Sequence, residues 1–276
     1  MSRVLYLLFL LTAYCLLLTM FVHPTAIVSS RAQIGENCFI GAYSIVGDEA
    51  KLGNGVRLES HVVVDGDTII GDETQVFPFV SIGLAPQDLK YAGEPTSVRI
   101  GKRNHIREFV TIHRGTTGGG GLTEIGDDCL LMAQAHVAHD CRIGNGVIMA
   151  NAATLAGHVE IEDKAQVGAY SGVHQFCRVG REAFIGGYSV IVKDALPFAI
   201  SQGNHAKCYG LNSIGMRRRG YEKETIEKLK HAFHLLLSAK LNTTQALEKI
   251  KQEIADSAEV DFLVQFIESS KRGVVK

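Results

Sequence analysis

His136, His139, His158 and His174 lie within 39 residues of one another, four of the eleven histidines in the chain, and Asp140 follows the second of them. Imidazole exchanges a proton near neutral pH, so such a cluster suits general acid–base chemistry. Asp140 beside His139 can orient that ring or stabilise its charged form. The same histidines also suit a metal, because three neutral imidazoles are enough to hold zinc. No Ser-centred elbow or Cys–His pair stands out, which disfavours a covalent acyl-enzyme. The simpler inference is a general base that activates a substrate hydroxyl. A second cluster is basic: Arg217, Arg218 and Arg219, with Lys90 far upstream. Arginine forks match phosphate. A basic helix end is the plainer role for such a run, and its closeness to the end of the histidine column favours phosphate. The glycines at 118–121 lack the GK[ST] ending of a phosphate loop.

What places these residues is a repeat of six. Branched or aliphatic side chains recur at Val22, Val28, Ile34, Ile40, Val46, Leu52, Leu58, Val64, Ile70, Val76 and Ile82, then at Ile100, Ile106 and Ile112. A third run goes from Ile125 through Leu131, Val137, Ile143, Met149, Leu155, Ile161, Val167, Val173, Val179 and Ile185 to Ile191. An α-helix cannot put every sixth residue on one face. A solenoid of short strands can, each hexad giving one inward side chain to a continuous core. Small residues follow many of these positions, as tight corners between flat faces require. Three hexads per coil make 18 residues, so position 157 lies over 139 and 175 over 157. His158 and His174 fall within one residue of that column, with successive coils roughly 5 Å apart. Two stretches interrupt the period: 86–96 (PQDLKYAGEPT), which keeps phase, and 115–121 (GTTGGGG), which shifts it by one. Loops on a rigid scaffold are where function concentrates.

Composition narrows the class further. The 276 residues carry a net charge of −1, no Trp and few aromatics, which excludes a nucleic-acid binder. Cys15, Cys38, Cys129, Cys141, Cys177 and Cys208 form no CxxC pair and read as reduced, mostly core thiols. Residues 4–22 are uncharged and long enough to span a membrane. Most of that stretch falls in a hydrophobic leader over 1–19, read either as a membrane segment or as the product of a start upstream of a true start at Met20. After Ile191 the period ends, giving a β-helix over 20–196 and a helical domain over 197–276. Ile226, Leu229, Phe233 and Leu236 predict an amphipathic helix over 222–238. Asn242 with Gln245 resembles an N-cap ahead of Leu247, Ile250 and Ile254, and Val260, Leu263, Phe266 and Ile267 mark a last helix. These helices are expected to pack on the end or flank of the solenoid.

Eight stretches carry a resemblance: HPTAIV (23–28), QDLKYAGEPT (87–96), TIHRGT (111–116), AHVAHDC (135–141), NAATLAGHV (151–159), VHQF (173–176), QGNHA (202–206) and RRRG (217–220). Together they are similar to the acyl-carrier-protein-dependent UDP-N-acetylglucosamine 3-O-acyltransferases of lipid A synthesis, from about position 21 to the C-terminus. The resemblance implies a homotrimer of left-handed parallel β-helices, each followed by a small α-helical domain. Its handedness runs against the usual right-handed crossover rule and comes from the resemblance alone. It implies that His139 is the general base toward the glucosamine 3-hydroxyl, supported by Asp140, with the Gly157 N–H stabilising the oxyanion. Asp88, Lys90, His136 and His158 then surround the sugar and acyl groups. His174, Gln175, Asn212, Arg218 and Arg219 serve the nucleotide, the arginines facing phosphate. Gly187 matches the position that closes the acyl groove, where a larger side chain shortens the chain accepted. The site lies between adjacent subunits, the partners are acyl carrier protein and UDP-N-acetylglucosamine, and neither metal nor cofactor is expected.

The alternatives differ in acceptor or chemistry. A 3-amino UDP-sugar differs from the 3-hydroxyl acceptor by one atom. The N-acyltransferase of the same pathway has an extra N-terminal domain for which this chain has no room. A γ-type carbonic anhydrase also uses trimeric hexapeptide helices with His-bound zinc, but the 87–96 loop and the helical tail argue against it. A structural hexapeptide subunit would not require the histidine column, and acetyl-CoA-dependent relatives stay open in principle, although the acyl groove belongs to the resemblance above. Acyl carrier protein is a cytosolic donor, so a cytoplasmic enzyme is expected, with membrane contact only if the leader is real.

Overall fold

The computed structural model describes residues 20–276; the leader expected over 1–19 lies outside the described residues. The fold is a left-handed parallel β-helix of hexapeptide repeats followed by short C-terminal helices. The chain divides into two compact units, one ending at Asp140 and one running from Cys141 to Lys276.

In the first unit nearly every hexad is a two-residue strand whose second residue points inward. Val46, Leu52, Leu58, Val64, Ile70, Val76 and Ile82 are all buried. The strands pair in parallel at fixed register: Val46 faces Val64, Val64 faces Ile82, and Ile82 faces Ile112. Each coil hands its hydrogen bonds to the next, as in Ile45 N–H to Val62 O and Gly47 N–H to Val64 O, both 2.8 Å. The two interruptions act as their lengths dictate. Residues paired across the first, Ile70 with Ile100, are 30 positions apart rather than 18, a gain of two whole hexads that keeps phase. Across the second, Ile112 pairs with Val137, 25 positions on, so seven residues are added and the period slips by one.

The corners correct one expectation. The small residues after the inward positions do not supply a left-handed conformation. Gly35, Gly41 and Gly101 have ordinary backbone angles, and a Cβ on them would lie 2.6–2.7 Å from backbone atoms of the next coil. They are small because coils stack. The left-handed position falls two residues later and is mostly not glycine: Asn37, Tyr43, His61, Phe79, Phe109, Gln134 and Asp140 all have φ between 58° and 64°. Such angles disfavour L-residues, and the stacked coils hold them in place. Rings at these corners stack from coil to coil, His61 on Phe79 at 4.8 Å and Phe79 on Phe109 at 5.0 Å between centroids.

The second unit continues the same construction, with Val167 facing Ile185 and Val173 facing Ile191. An antiparallel pair, Ala199–Gln202 with Lys207–Leu211, then leads into four helices: α1 (Ser213–Arg218), α2 (Lys223–Leu237), α3 (Thr243–Glu253) and α4 (Ala258–Glu268). The expected amphipathic stripe is α2, whose Ile226, Leu229, Phe233 and Leu236 are buried. Asn242 and Gln245 form the reciprocal capping box of α3. The helices pack with Leu196, Phe198 and Ala199 in one apolar cluster. Among the described residues no helix is long and apolar enough to cross a membrane. Cys38, Cys129, Cys141 and Cys177 are buried thiols, Cys208 is partly buried, and burial pushes Cys177 up to about 11. Cys15 lies outside the described residues.

Candidate active site

The best-organised polar group of the first unit is the corner at His139 and Asp140. The His139 ring places Nδ1 2.8 Å from Asp140 Oδ2. The Asp140 side chain is wholly buried and His139 is 16% exposed. Thr116 holds the carboxylate from above, its backbone N–H donating to Oδ1 at 2.9 Å and its hydroxyl to Oδ2 at 2.6 Å. The Asp140 N–H donates to Thr123 Oγ1 at 2.8 Å. Thr116 belongs to the phase-shifting loop, whose short helical turn spans Thr117–Gly119. A Cβ on Gly119 would fall on the Asp140 carboxyl group, so the glycine leaves the carboxylate its space. The glycine-rich stretch thus covers a buried carboxylate, and sequence reasoning missed Thr116, Gly119 and Thr123. The seven-residue slip was the signal that a loop turns back there.

Two more imidazoles of this unit lie close to His139. His136 Nδ1 is 2.6 Å from Thr111 Oγ1, and the His113 ring meets His136 edge to face at 5.1 Å. Burial, reinforced by His136 and His139, pulls His113 down to about 4. Burial and then His139 lower His136 in the same direction. Both rings are therefore neutral near pH 7. His113, which the sequence reading did not select, sits in the TIHRGT stretch. For a metal, His139 and Asp140 are ligand types that lie together in this unit, and each is already engaged with the other, Nδ1 with Oδ2. Asp88 and Lys90 are in the 86–96 loop, where the Lys90 N–H donates to Asp88 Oδ1 at 3.0 Å.

In the second unit the selected residues are more dispersed. Gly157 is a buried corner residue followed by His158 at φ 62°, whose ring stacks on Phe176 at 4.4 Å. His174 and Gln175 form the exposed corner preceding Phe176, and Arg272 from near the C-terminus places Nη2 3.4 Å from His174 Nδ1. Asn212 caps α1 by accepting from the Gly215 N–H at 3.0 Å, which fixes the short helix that ends in Arg217 and Arg218. Arg219 instead donates to Glu182 at 3.1 Å and to the Lys164 carbonyl. Gly187 lies at the corner before Tyr188, with ordinary angles and its nearest neighbour 3.3 Å from a built Cβ.

Comparison with known proteins assigns the family. Residues 194–275 match the family model described as UDP N-acetylglucosamine O-acyltransferase, domain 2, and residues 31–66 and 122–157 match that of the bacterial transferase hexapeptide (six repeats). An acyl-[acyl-carrier-protein]–UDP-N-acetylglucosamine O-acyltransferase of Thermodesulfovibrio yellowstonii is 50% identical over 92% of this chain and 99% of its own. The UDP-N-acetylglucosamine O-acyltransferase structure from Moraxella catarrhalis is 42% identical, with TM-score 0.89, over 94% of this chain and 100% of its own. That from Bacteroides fragilis is 38% identical, with TM-score 0.91, over 93% and 100%. The chain is therefore an acyltransferase that belongs to the UDP-N-acetylglucosamine O-acyltransferase family.

Proposed function

We propose that this enzyme transfers a 3-hydroxyacyl chain from acyl carrier protein to the 3-hydroxyl of UDP-N-acetylglucosamine, the first step of lipid A synthesis, with His139 as general base. The observation that carries this reading is the His139–Asp140 pair at 2.8 Å, its carboxylate buried and held by Thr116. With Nδ1–H donating to Asp140, the neutral ring carries its lone pair on Nε2. That nitrogen takes the hydroxyl proton as the sugar oxygen bonds to the thioester carbon. Collapse of the adduct breaks the C–S bond, and the imidazolium returns its proton to the departing thiolate. Asp140 stabilises the imidazolium between these steps. Neither metal nor cofactor enters the scheme.

The remaining roles follow the family resemblance. The Gly157 N–H serves the oxyanion, and His136 and His158 serve the sugar and acyl groups. His174, Gln175, Asn212, Arg218 and Arg219 serve the nucleotide, and Gly187 sets chain length. The same reading makes the protein a cytoplasmic homotrimer in which Asp88 and Lys90 reach a neighbouring subunit. In support, the loop's hydrogen bonds around them are local, Tyr91 to Glu94 and Ala92 to Glu94, and Leu89 at its tip is fully exposed. Sedimentation equilibrium should give three chains per particle.

The test is an acyl-transfer assay with 3-hydroxyacyl carrier protein and UDP-N-acetylglucosamine, with zinc measured on the same sample. Product formation that is lost in His139→Ala, with sugar-nucleotide binding retained, is the expected result. Turnover retained in that variant would remove His139 as the base. No transfer with stoichiometric zinc would replace the scheme by metal chemistry. Transfer only to a 3-amino sugar nucleotide would change the acceptor.

A further inference from the structure

His113 has no part in the scheme above, yet it is 6% exposed and packs against His136. Its Nδ1 is buried without a hydrogen-bond partner. What connects this ring to the site is its edge-to-face contact with His136, centroids 5.1 Å apart and planes at 78°. His136 has a second fixed contact, Thr111 Oγ1 at 2.6 Å from its Nδ1. Thr111 and His113 are the first and last residues of one strand, Thr111–His113, which pairs in register with the strand His136–Val137. A hydrogen bond at one ring nitrogen leaves the imidazole free to swing about that bond. A second, buried ring packed against it at a fixed angle removes the swing. Two residues of one strand therefore define the orientation of a side chain on the next.

We propose that His113 is a positioning residue that, with Thr111, holds the His136 imidazole in a single orientation beside the His139–Asp140 pair. The proposal rests on the site reading above, since it takes His136 to contact substrate. Burial keeps His113 neutral, so phenylalanine, a ring of similar size that is always neutral, is the conservative replacement. The other titratable groups facing His136 in this unit are His113 and His139.

The experiment follows the His136 ring by NMR in the free enzyme labelled at histidine Cε1, alongside kcat and KM. In His113→Ala the His136 midpoint rises toward that of an ordinary imidazole, and KM for the sugar nucleotide rises about tenfold with kcat within threefold of native. His113→Phe restores both. An unchanged His136 midpoint and KM in folded His113→Ala would overturn the proposal. So would a tenfold KM loss in His113→Phe, which would mean that the imidazole itself is needed. If the alanine variant does not fold, the phenylalanine variant decides alone: native midpoint and KM support positioning, and a shift in either sinks it. The NMR reading needs no substrate, so it stands or falls separately from the assignment of His139 as base.

Discussion

Arg219 Nη1 lies 3.1 Å from Glu182 Oε2, and the Glu182 side chain is 2% exposed. Tyr221 donates to the other carboxylate oxygen at 2.8 Å, and a second Arg219 nitrogen bonds the Lys164 carbonyl. The guanidinium thus ties the segment after α1 to two corners of the β-helix. Removing it leaves a buried carboxylate with one partner, a loss of about 2–3 kcal/mol. Arg219→Ala should therefore lower Tm by roughly 5–10 °C. Arg218, at the end of α1 and without that ion pair, should separate binding from stability: Arg218→Ala should raise KM for the sugar nucleotide and leave Tm within about 1 °C, whereas Arg219→Ala should change both. Melting curves and steady-state kinetics on the two variants check this. An unchanged KM in Arg219→Ala would remove Arg219 from the nucleotide side and leave it the structural tie alone.

The coils were legible because an inward side chain every six residues follows from strand geometry alone, as Val46, Val64 and Ile82 illustrate. The helices were legible from the stripe on α2 and the Asn242–Gln245 box. The reason for the small corner residues was not, since only the stacked coils reveal that a Cβ on Gly41 would strike the backbone at Glu59. The left-handed corners were hidden because Tyr43, Phe79 and Phe109 have no intrinsic preference for that conformation. Of the site, His139 and Asp140 are neighbours in sequence and easily paired. Thr116 reaches Asp140 across 24 positions, and Arg272 reaches His174 across 98, so loop closure and not spacing brings them together.

Gly119 and Asp140 give a second prediction. Gly119 has an ordinary φ, so alanine is tolerated by the backbone, but its methyl would fall on the Asp140 carboxylate. Overpacking of this kind costs about 1–3 kcal/mol. Here it displaces the group that orients His139. Gly119→Ala should lower kcat at least tenfold, whereas Gly118→Ala, where nothing lies within 4 Å of a built Cβ, should stay near native. Equal kinetics for the two variants would refute the link.

Asp140→Asn isolates the charge. Asparagine can still accept from Thr116 through one oxygen but cannot stabilise an imidazolium as a carboxylate does, and it can hold His139 in the wrong tautomer. A loss of roughly 10²–10⁴-fold in kcat is expected, with KM for the sugar nucleotide within threefold. A loss confined to KM would instead make Asp140 a binding residue.

At Gly187 the nearest neighbour of an added Cβ is the Ala169 carbonyl at 3.3 Å, and the backbone angles are ordinary. Gly187→Met should therefore fold, with a melting temperature close to native. Its side chain would occupy space at that corner, and kcat/KM measured on carrier proteins loaded with chains of different length should shift toward shorter donors. An unchanged chain-length profile in folded Gly187→Met would remove this residue from the groove.

The buried imidazoles make stability depend on pH. His113 has a folded value of about 4 against an ordinary 6.5, so between those values the unfolded chain binds the extra proton. Stability therefore rises with pH across that window. The contribution is complete above about 6.5 and is lost progressively as pH falls toward 4, amounting to roughly 3 kcal/mol for His113. His136, lowered in the same direction, adds to the slope. Urea unfolding between pH 7.5 and 4.5 should show this decline, beyond what carboxylate protonation produces at the acid end. His113→Phe removes one titrating group without opening the cluster, so its stability should fall less steeply over the same range. Parallel curves for native protein and His113→Phe would show that His113 is protonated in the folded state at those pH values, and that its neutral form is not what the cluster requires.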